Sequence, residues 1–143
     1  MADVKDTAER FVTAFNSHDE KAIEQLHADN IKFEAPGGVR LEGKTAATQY
    51  AMGWLKAFPD GKMTIRKQIV SDPWVVQEFT MEGTHTGVLD GPAGKVLPTG
   101  KRLSNQAVSI VRYDNGRQTE VHLYYDQAAV MTQLGLMPTP ATV

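Results

Sequence analysis

The chain contains no cysteine, which excludes disulfides, thiolate nucleophiles and the commonest zinc-holding side-chain sets. Nor is there an apolar run long enough to span a bilayer; the longest are of strand length. Charge of one sign is nowhere massed. Fifteen basic and 17 acidic residues are interspersed for a net charge of −2, so nothing electrostatic points to nucleic acid or an anionic membrane as a partner. Internal repeats, a glycine-rich phosphate loop, a nucleophile elbow and a paired-histidine metalloprotease motif are all missing. The opening Met1-Ala2-Asp3-Val4 runs into a charged helical pattern and lacks the apolar middle of a secretory signal. The expectation is a cytoplasmic protein. At 143 residues the length suits one domain, taken as 1–136, followed by a Pro- and Thr-rich tail at 137–143 expected to be loose.

What is present begins with helices. Val4, Ala8, Phe11, Val12 and Phe15 recur on one face of an amphipathic helix, with Asp3 as its N-cap. Ser17-His18-Asp19-Glu20 reads as a capping box opening a short second helix, with Ala22, Ile23 and Leu26 inward. Ile31 to Ala35 alternates like a strand and stops at Pro36-Gly37-Gly38. A third helix spans 44–56, its apolar stripe including Tyr50, Trp54 and Phe58. Strand-like runs follow at 62–71 and 74–85, then a Gly- and Pro-rich loop from Thr86 to Gly100, long enough to suggest function or mobility. Runs at 101–113 and 117–126 flank the hairpin signal Asp114-Asn115-Gly116, and a last short helix ends at Gly135. Helices first and a strand meander after them argue for an α+β fold.

A three-residue turn at 114–116 pairs Tyr113 with Arg117. It sets Ser104 opposite Asp126, Gln106 opposite Tyr124, Val108 opposite His122 and Ile110 opposite Glu120 on one face. The other face carries Asn105, Ala107, Ser109 and Val111 with Tyr125, Leu123, Val121 and Thr119. Both faces are mixed, as expected of a sheet that lines a polar pocket on one side and packs against a second subunit on the other. Strand direction brings His85 and Arg102 to the same edge as Asp126, beneath the glycine-rich loop. A one-residue slip reverses every face.

Several segments resemble the SnoaL-like polyketide cyclase and ester cyclase branch of the nuclear transport factor 2-like superfamily. They are Phe11-Val12-Thr13-Ala14-Phe15-Asn16-Ser17-His18-Asp19, Phe33-Glu34-Ala35-Pro36-Gly37-Gly38, Gly53-Trp54-Leu55-Lys56-Ala57-Phe58-Pro59-Asp60, Gly83-Thr84-His85-Thr86-Gly87 and Leu97-Pro98-Thr99-Gly100-Lys101, with Tyr124-Tyr125-Asp126-Gln127 and Gln133-Leu134-Gly135 at the end. The resemblance covers nearly the whole chain in order. It implies a cone of curved antiparallel sheet with the N-terminal helices on its concave face, a homodimer through the outer sheet face, and cofactor-free ring closure by intramolecular aldol condensation. The strand aspartate that acts there as acid/base matches Asp126, and the histidine near the pocket mouth matches His85.

On this reading Asp126 moves a proton next to a carbonyl and His85 polarises that carbonyl. His122, Tyr124, Gln106, Ser104, Arg102 and Trp54 form the substrate-binding set, for a small, largely apolar molecule. No cofactor and no metal is expected, because the histidines and Asp126 lack metal-ligand spacing. Blander roles stay open: Asp126 as N-cap of the last helix, and His85 as a strand-end residue bonding the loop backbone. His18 and His27 receive no role. Two other functions remain. One is a limonene-type epoxide hydrolase using Arg102, Asp126 and Asp90; the other is a small-molecule-binding dimer without catalysis.

Overall fold

The computed structural model describes residues 3–91 and 94–137. Of the expected loose tail only Met137 falls among them, and Pro92 of the glycine-rich loop lies outside them. Helix α1 (Val4–Asn16) starts where Asp3 accepts from the Lys5 amide at 2.8 Å, and α2 (Glu20–Leu26) where Asp19 accepts from the Ala22 amide at 3.0 Å. Asp19 is thus the N-cap of α2; Ser17, expected in that place, closes α1 instead. Strand β1 (His27–Ala35) follows directly and turns back into β2 (Val39–Glu42). Helix α3 (Lys44–Ala57) is entered through Gly43, at φ 95°, a conformation glycine adopts without steric cost.

Strands β3 (Lys62–Ser71) and β4 (Trp74–Thr84) form a hairpin. The expected loop 86–100 holds a small hairpin of its own, β5 (Leu89–Gly91) and β6 (Gly94–Val96). Strands β7 (Arg102–Asp114) and β8 (Arg117–Tyr125) and helix α4 (Gln127–Gln133) complete the chain, α4 ending before Gly135 at φ 74°.

The main sheet has the order β2-β1-β8-β7-β4-β3. It is antiparallel except where β1 meets β8, and that parallel pair departs from the purely antiparallel sheet expected. Helices α1 and α3 cover one face. In β4 and β7 the odd-numbered residues are buried under them and the even-numbered ones face outward. Phe58, Leu103 and Leu134 anchor a core at one end; Ile31, Val75 and Val111 anchor another across the sheet.

The β7–β8 hairpin reaches the expected faces by a different register. Asn115 and Gly116, at φ 52° and 74°, make a two-residue turn that pairs Asp114 with Arg117. One residue fewer in the turn would have exchanged the faces of β8. Thr119 restores them by bulging out between Gln118 and Glu120, its hydroxyl donating to Asp114 at 2.6 Å. Beyond the bulge Val108 pairs with Tyr124 and Ile110 with His122, two positions along from the expected partners.

Candidate functional site: a neutral interior cavity

Between the helices and the odd-numbered face of the sheet lies a cavity of about 110 Å³. That is room for a small organic molecule, since one water needs roughly 10–15 Å³ of such space. Phe11 and Phe15 of α1, Tyr50 and Trp54 of α3, and Phe33, Phe79 and Leu103 of the sheet line it. The helical aromatics arrive there because their spacing on α1 and α3 repeats every turn; the sheet residues arrive by strict alternation.

Among the described residues no Asp, Glu, Lys or Arg lines the cavity. Its polar groups are neutral ones. Asn105 and Ser109, each 7% exposed, line it on β7, and their side chains make no hydrogen bond to other described residues. Gln77 lies opposite Ser109 and donates to Gln68 at 2.7 Å; Gln118 donates to the Tyr113 hydroxyl at 3.1 Å. Burial raises the pKa of Tyr50 and Tyr125, so both phenols stay protonated at neutral pH.

Among the described residues the one imidazole in the wall is His27, at the start of β1 and paired with Gln118 across the parallel seam. It is 1% exposed, its Nδ1 lies 2.9 Å from the Thr48 hydroxyl of α3, and the Phe11 ring sits 6.0 Å away. Burial, helped by the charge of Lys44, lowers its pKa from 6.5 to about 4. His27 is therefore neutral under ordinary conditions.

The residues expected to form the site lie mostly elsewhere. Trp54 lines the cavity, its ring edge-on to Tyr125 at 5.5 Å. Ser104, Gln106, His122 and Tyr124 sit on the even-numbered, outward face, and Tyr124 is 56% exposed. His122 bridges two carboxylates there, Glu34 at 3.2 Å and Glu120 at 2.9 Å. Arg102 is exposed and paired with Asp60 at 3.4 Å and Glu82 at 3.3 Å, with no bond to Asp126. Asp126 is exposed and accepts from the Ala129 amide at 3.0 Å, so it caps α4, and it does not line the cavity. His85 is fully buried but does not line the cavity. Its Nδ1 accepts from the Thr99 amide at 3.2 Å, and its backbone bonds Lys101 and Gly100, closing the base of the 86–100 loop. Burial lowers its pKa, an effect the nearby Gly87 carbonyl only partly offsets. The convergence of His85, Arg102 and Asp126 on a pocket is thus corrected: Arg102 and Asp126 are exposed, and His85 belongs to the base of the 86–100 loop.

Two further facts bear on what the site can hold. Among the described residues no group of three or more His, Asp or Glu side chains is arranged to bind a metal ion. Among them also, no helix is long and apolar enough to cross a membrane.

A family model for SnoaL-like polyketide cyclases matches residues 5–134. The chain belongs to this family. The SnoaL-like chain shares its fold with AclR from Streptomyces galilaeus at 24% identity, TM-score 0.79, over 94% of this chain and 86% of that one. IdmH from Streptomyces antibioticus is 23% identical with a TM-score of 0.78, covering 94% and 99%. A SnoaL-like protein from Jannaschia sp. CCS1 is 18% identical with a TM-score of 0.82, covering 96% and 98%. No match is found among curated proteins by sequence. Within the SnoaL-like fold of this chain, His27, Asn105, Ser109 and Gln118 are the site residues that sequence reasoning passed over. A signal was available: the odd-numbered face of β7 and β8 beyond the bulge carries no charged residue, whereas the even-numbered face carries Arg102, Arg112, Glu120 and Asp126.

Proposed function

We propose that this chain takes an uncharged, largely apolar small molecule into the cavity and promotes a cofactor-free ring closure or isomerisation at one of its carbonyls. The observation that carries this reading is the uncharged wall. A buried ion with no counter-charge is costly, so a neutral ligand is the one that fits. The chemistry that suits neutral walls moves charge only within the ligand. An enol carbon attacks a second carbonyl of the same molecule and the carbon–carbon bond forms. The enol O–H proton then passes to the new alkoxide oxygen, so no electron and no net proton enters or leaves. Hydrogen-bond donors beside the developing oxyanion, from Asn105, Ser109 or a tyrosine, stabilise that step.

Asp126 has no part in this version, because its carboxylate is occupied at the N-terminus of α4. The uncharged wall also favours a second reading, a dimer that binds such a molecule without transforming it: among the described residues no carboxylate base lines the cavity. The epoxide hydrolase alternative loses its support, since Arg102 is engaged on the outer face with Asp60 and Glu82. The reading keeps the single domain, the cytoplasmic setting and a homodimer through the outer sheet face, where Ile69 and Tyr124 are more than half exposed.

The test is a titration with acetophenone, followed by NMR, and with an unbranched aliphatic diketone able to close to a six-membered cyclic aldol, followed by the loss of one of its two carbonyl signals in the carbon NMR spectrum. Ala107 lines the cavity wall, so Ala107→Phe should weaken binding of both at least roughly tenfold by filling the space. Asp126→Asn should leave binding and turnover unchanged. Binding without ring closure selects the second reading, and no binding of either ketone sinks both.

A further inference from the structure

The hydrogen bond between His27 and Thr48 has a direction that its surroundings decide. The hydroxyls of Thr7 and Thr13 in α1 donate to carbonyls one turn back, Asp3 at 3.0 Å and Glu9 at 3.1 Å. Thr48, also within a helix and fully buried, makes no such bond; its one side-chain partner among the described residues is His27 Nδ1. A buried hydroxyl proton needs an acceptor. If Nδ1 carried the imidazole proton, the Thr48 proton would have none. With Thr48 donating to Nδ1, every donor at this contact is satisfied, and the imidazole proton resides on Nε2. Nε2 has no partner among the described residues. Unlike the sealed Nε2 of His85, it keeps a trace of accessible surface although the residue as a whole is buried, and the residue lines the cavity.

We propose that His27 presents Nε2–H to the cavity as a neutral hydrogen-bond donor, held in that tautomer by Thr48, and that it recognises the acceptor oxygen of an uncharged ligand such as a ketone, ester or lactone carbonyl. His27 then touches the ligand, and Thr48 acts through it as a positioning residue. The inference rests on the cavity being the binding site. It goes further in naming the ligand's recognised group, and in giving the imidazole the role of donor rather than base. A low imidazole pKa fits that role, because a neutral ring keeps its N–H aimed at the ligand without burying a cation.

Two measurements test it. The first is the nitrogen NMR spectrum of histidine-labelled protein. His27 should show a protonated Nε2 and an unprotonated Nδ1, and Thr48→Val should release the ring into a mixture of tautomers. A protonated Nδ1 in the unaltered protein overturns the proposal. The second compares acetophenone with α-methylstyrene, which has the same shape but a methylene in place of the carbonyl oxygen. Relative to the unaltered protein, His27→Phe should shift the ratio of the two affinities toward the hydrocarbon by roughly three- to tenfold, the ratio one neutral hydrogen bond supports. Thr48→Val should shift it part of the way, which keeps the test valid if His27→Phe fails to fold. Both probes binding with an unchanged ratio overturns the role of His27 and leaves the cavity as the site. Neither probe binding removes the cavity reading and this inference with it.

Discussion

The two faces of the β7–β8 hairpin are made of alternate residues of the same strands, yet they have opposite chemistry. The inner set, from Leu103, Asn105 and Ala107 across to Val121, Leu123 and Tyr125, holds no formal charge and surrounds a cavity. The outer set holds Arg102, Arg112, Glu120 and His122, tied into surface ion pairs and hydrogen bonds, and the exposed Tyr124. Of the residues that look most reactive in the sequence, Arg102 and Asp126 thus lie on the solvent side, where pairing is cheap and adds little stability. Those next to the cavity are the quieter amides, hydroxyls and one neutral imidazole. An apolar interior accepts dipoles with partners far more readily than ions.

The contrast can be broken at its strongest point by truncating matched positions on the two faces. Leu103→Ala, on the inner face and fully buried, should cost about 2–5 kcal/mol in urea unfolding. Gln106→Ala on the outer face should cost within about 0.5 kcal/mol. Equal costs would mean the two faces are not as different as their chemistry suggests.

Acidity comes next. The folded protein keeps His27 neutral down to about pH 4, whereas the unfolded chain protonates it near 6.5. Between those values the unfolded state binds the extra proton, so stability is fully present above pH 6.5 and falls as the pH drops toward 4. The loss is on the order of 3 kcal/mol from this residue. The lowered pKa of buried His85 acts in the same direction. Unfolding curves across that range for the unaltered protein and His27→Gln should diverge as predicted; parallel curves would show that His27 is not buried as a neutral group.

The smallest effect concerns the outer face. Tyr124→Arg should alter the stability of an isolated chain by no more than about 0.5 kcal/mol. If the face pairs two copies as proposed, the melting temperature of the unaltered protein rises with concentration, and the substitution abolishes that rise. A melting temperature independent of concentration argues against the dimer.

Much of the fold is legible in the sequence because it rests on periodicity. The stripe from Val4 to Phe15, the existence of a hairpin at Asp114-Asn115-Gly116, though not its three-residue turn, and the cap at Gly135 each correspond to the element observed. Even the faces of β8 come out right, though only because the shorter turn and the Thr119 bulge offset one another. What periodicity cannot supply is which mixed face turns inward. That depends on where α1 and α3 dock, a tertiary matter. The start of β1 was hidden for a related reason. Ala28-Asp29-Asn30 interrupts the alternation before Ile31, and the register against β8 shifts between His27 and Lys32. His27 therefore reads as the end of a helix when it is in fact the first residue of a strand. The capping role of Asp126 was legible as a favoured N-cap residue ahead of a helix; the family resemblance drew attention to its chemistry instead.

The parallel seam between β1 and β8 has a consequence for how the protein assembles. The β3–β4 and β7–β8 hairpins join segments close together in the chain, but His27 meets Gln118 only after the intervening chain is in place. Contacts of such long sequence separation are costly in chain entropy and slow to form. Sheet closure at this seam is thus the natural late event, and the imidazole enters its place beside the amide then. A folding intermediate lacking the seam would have both hairpins but no finished binding chamber, so ligand added during refolding would report on the last stage of folding rather than the first.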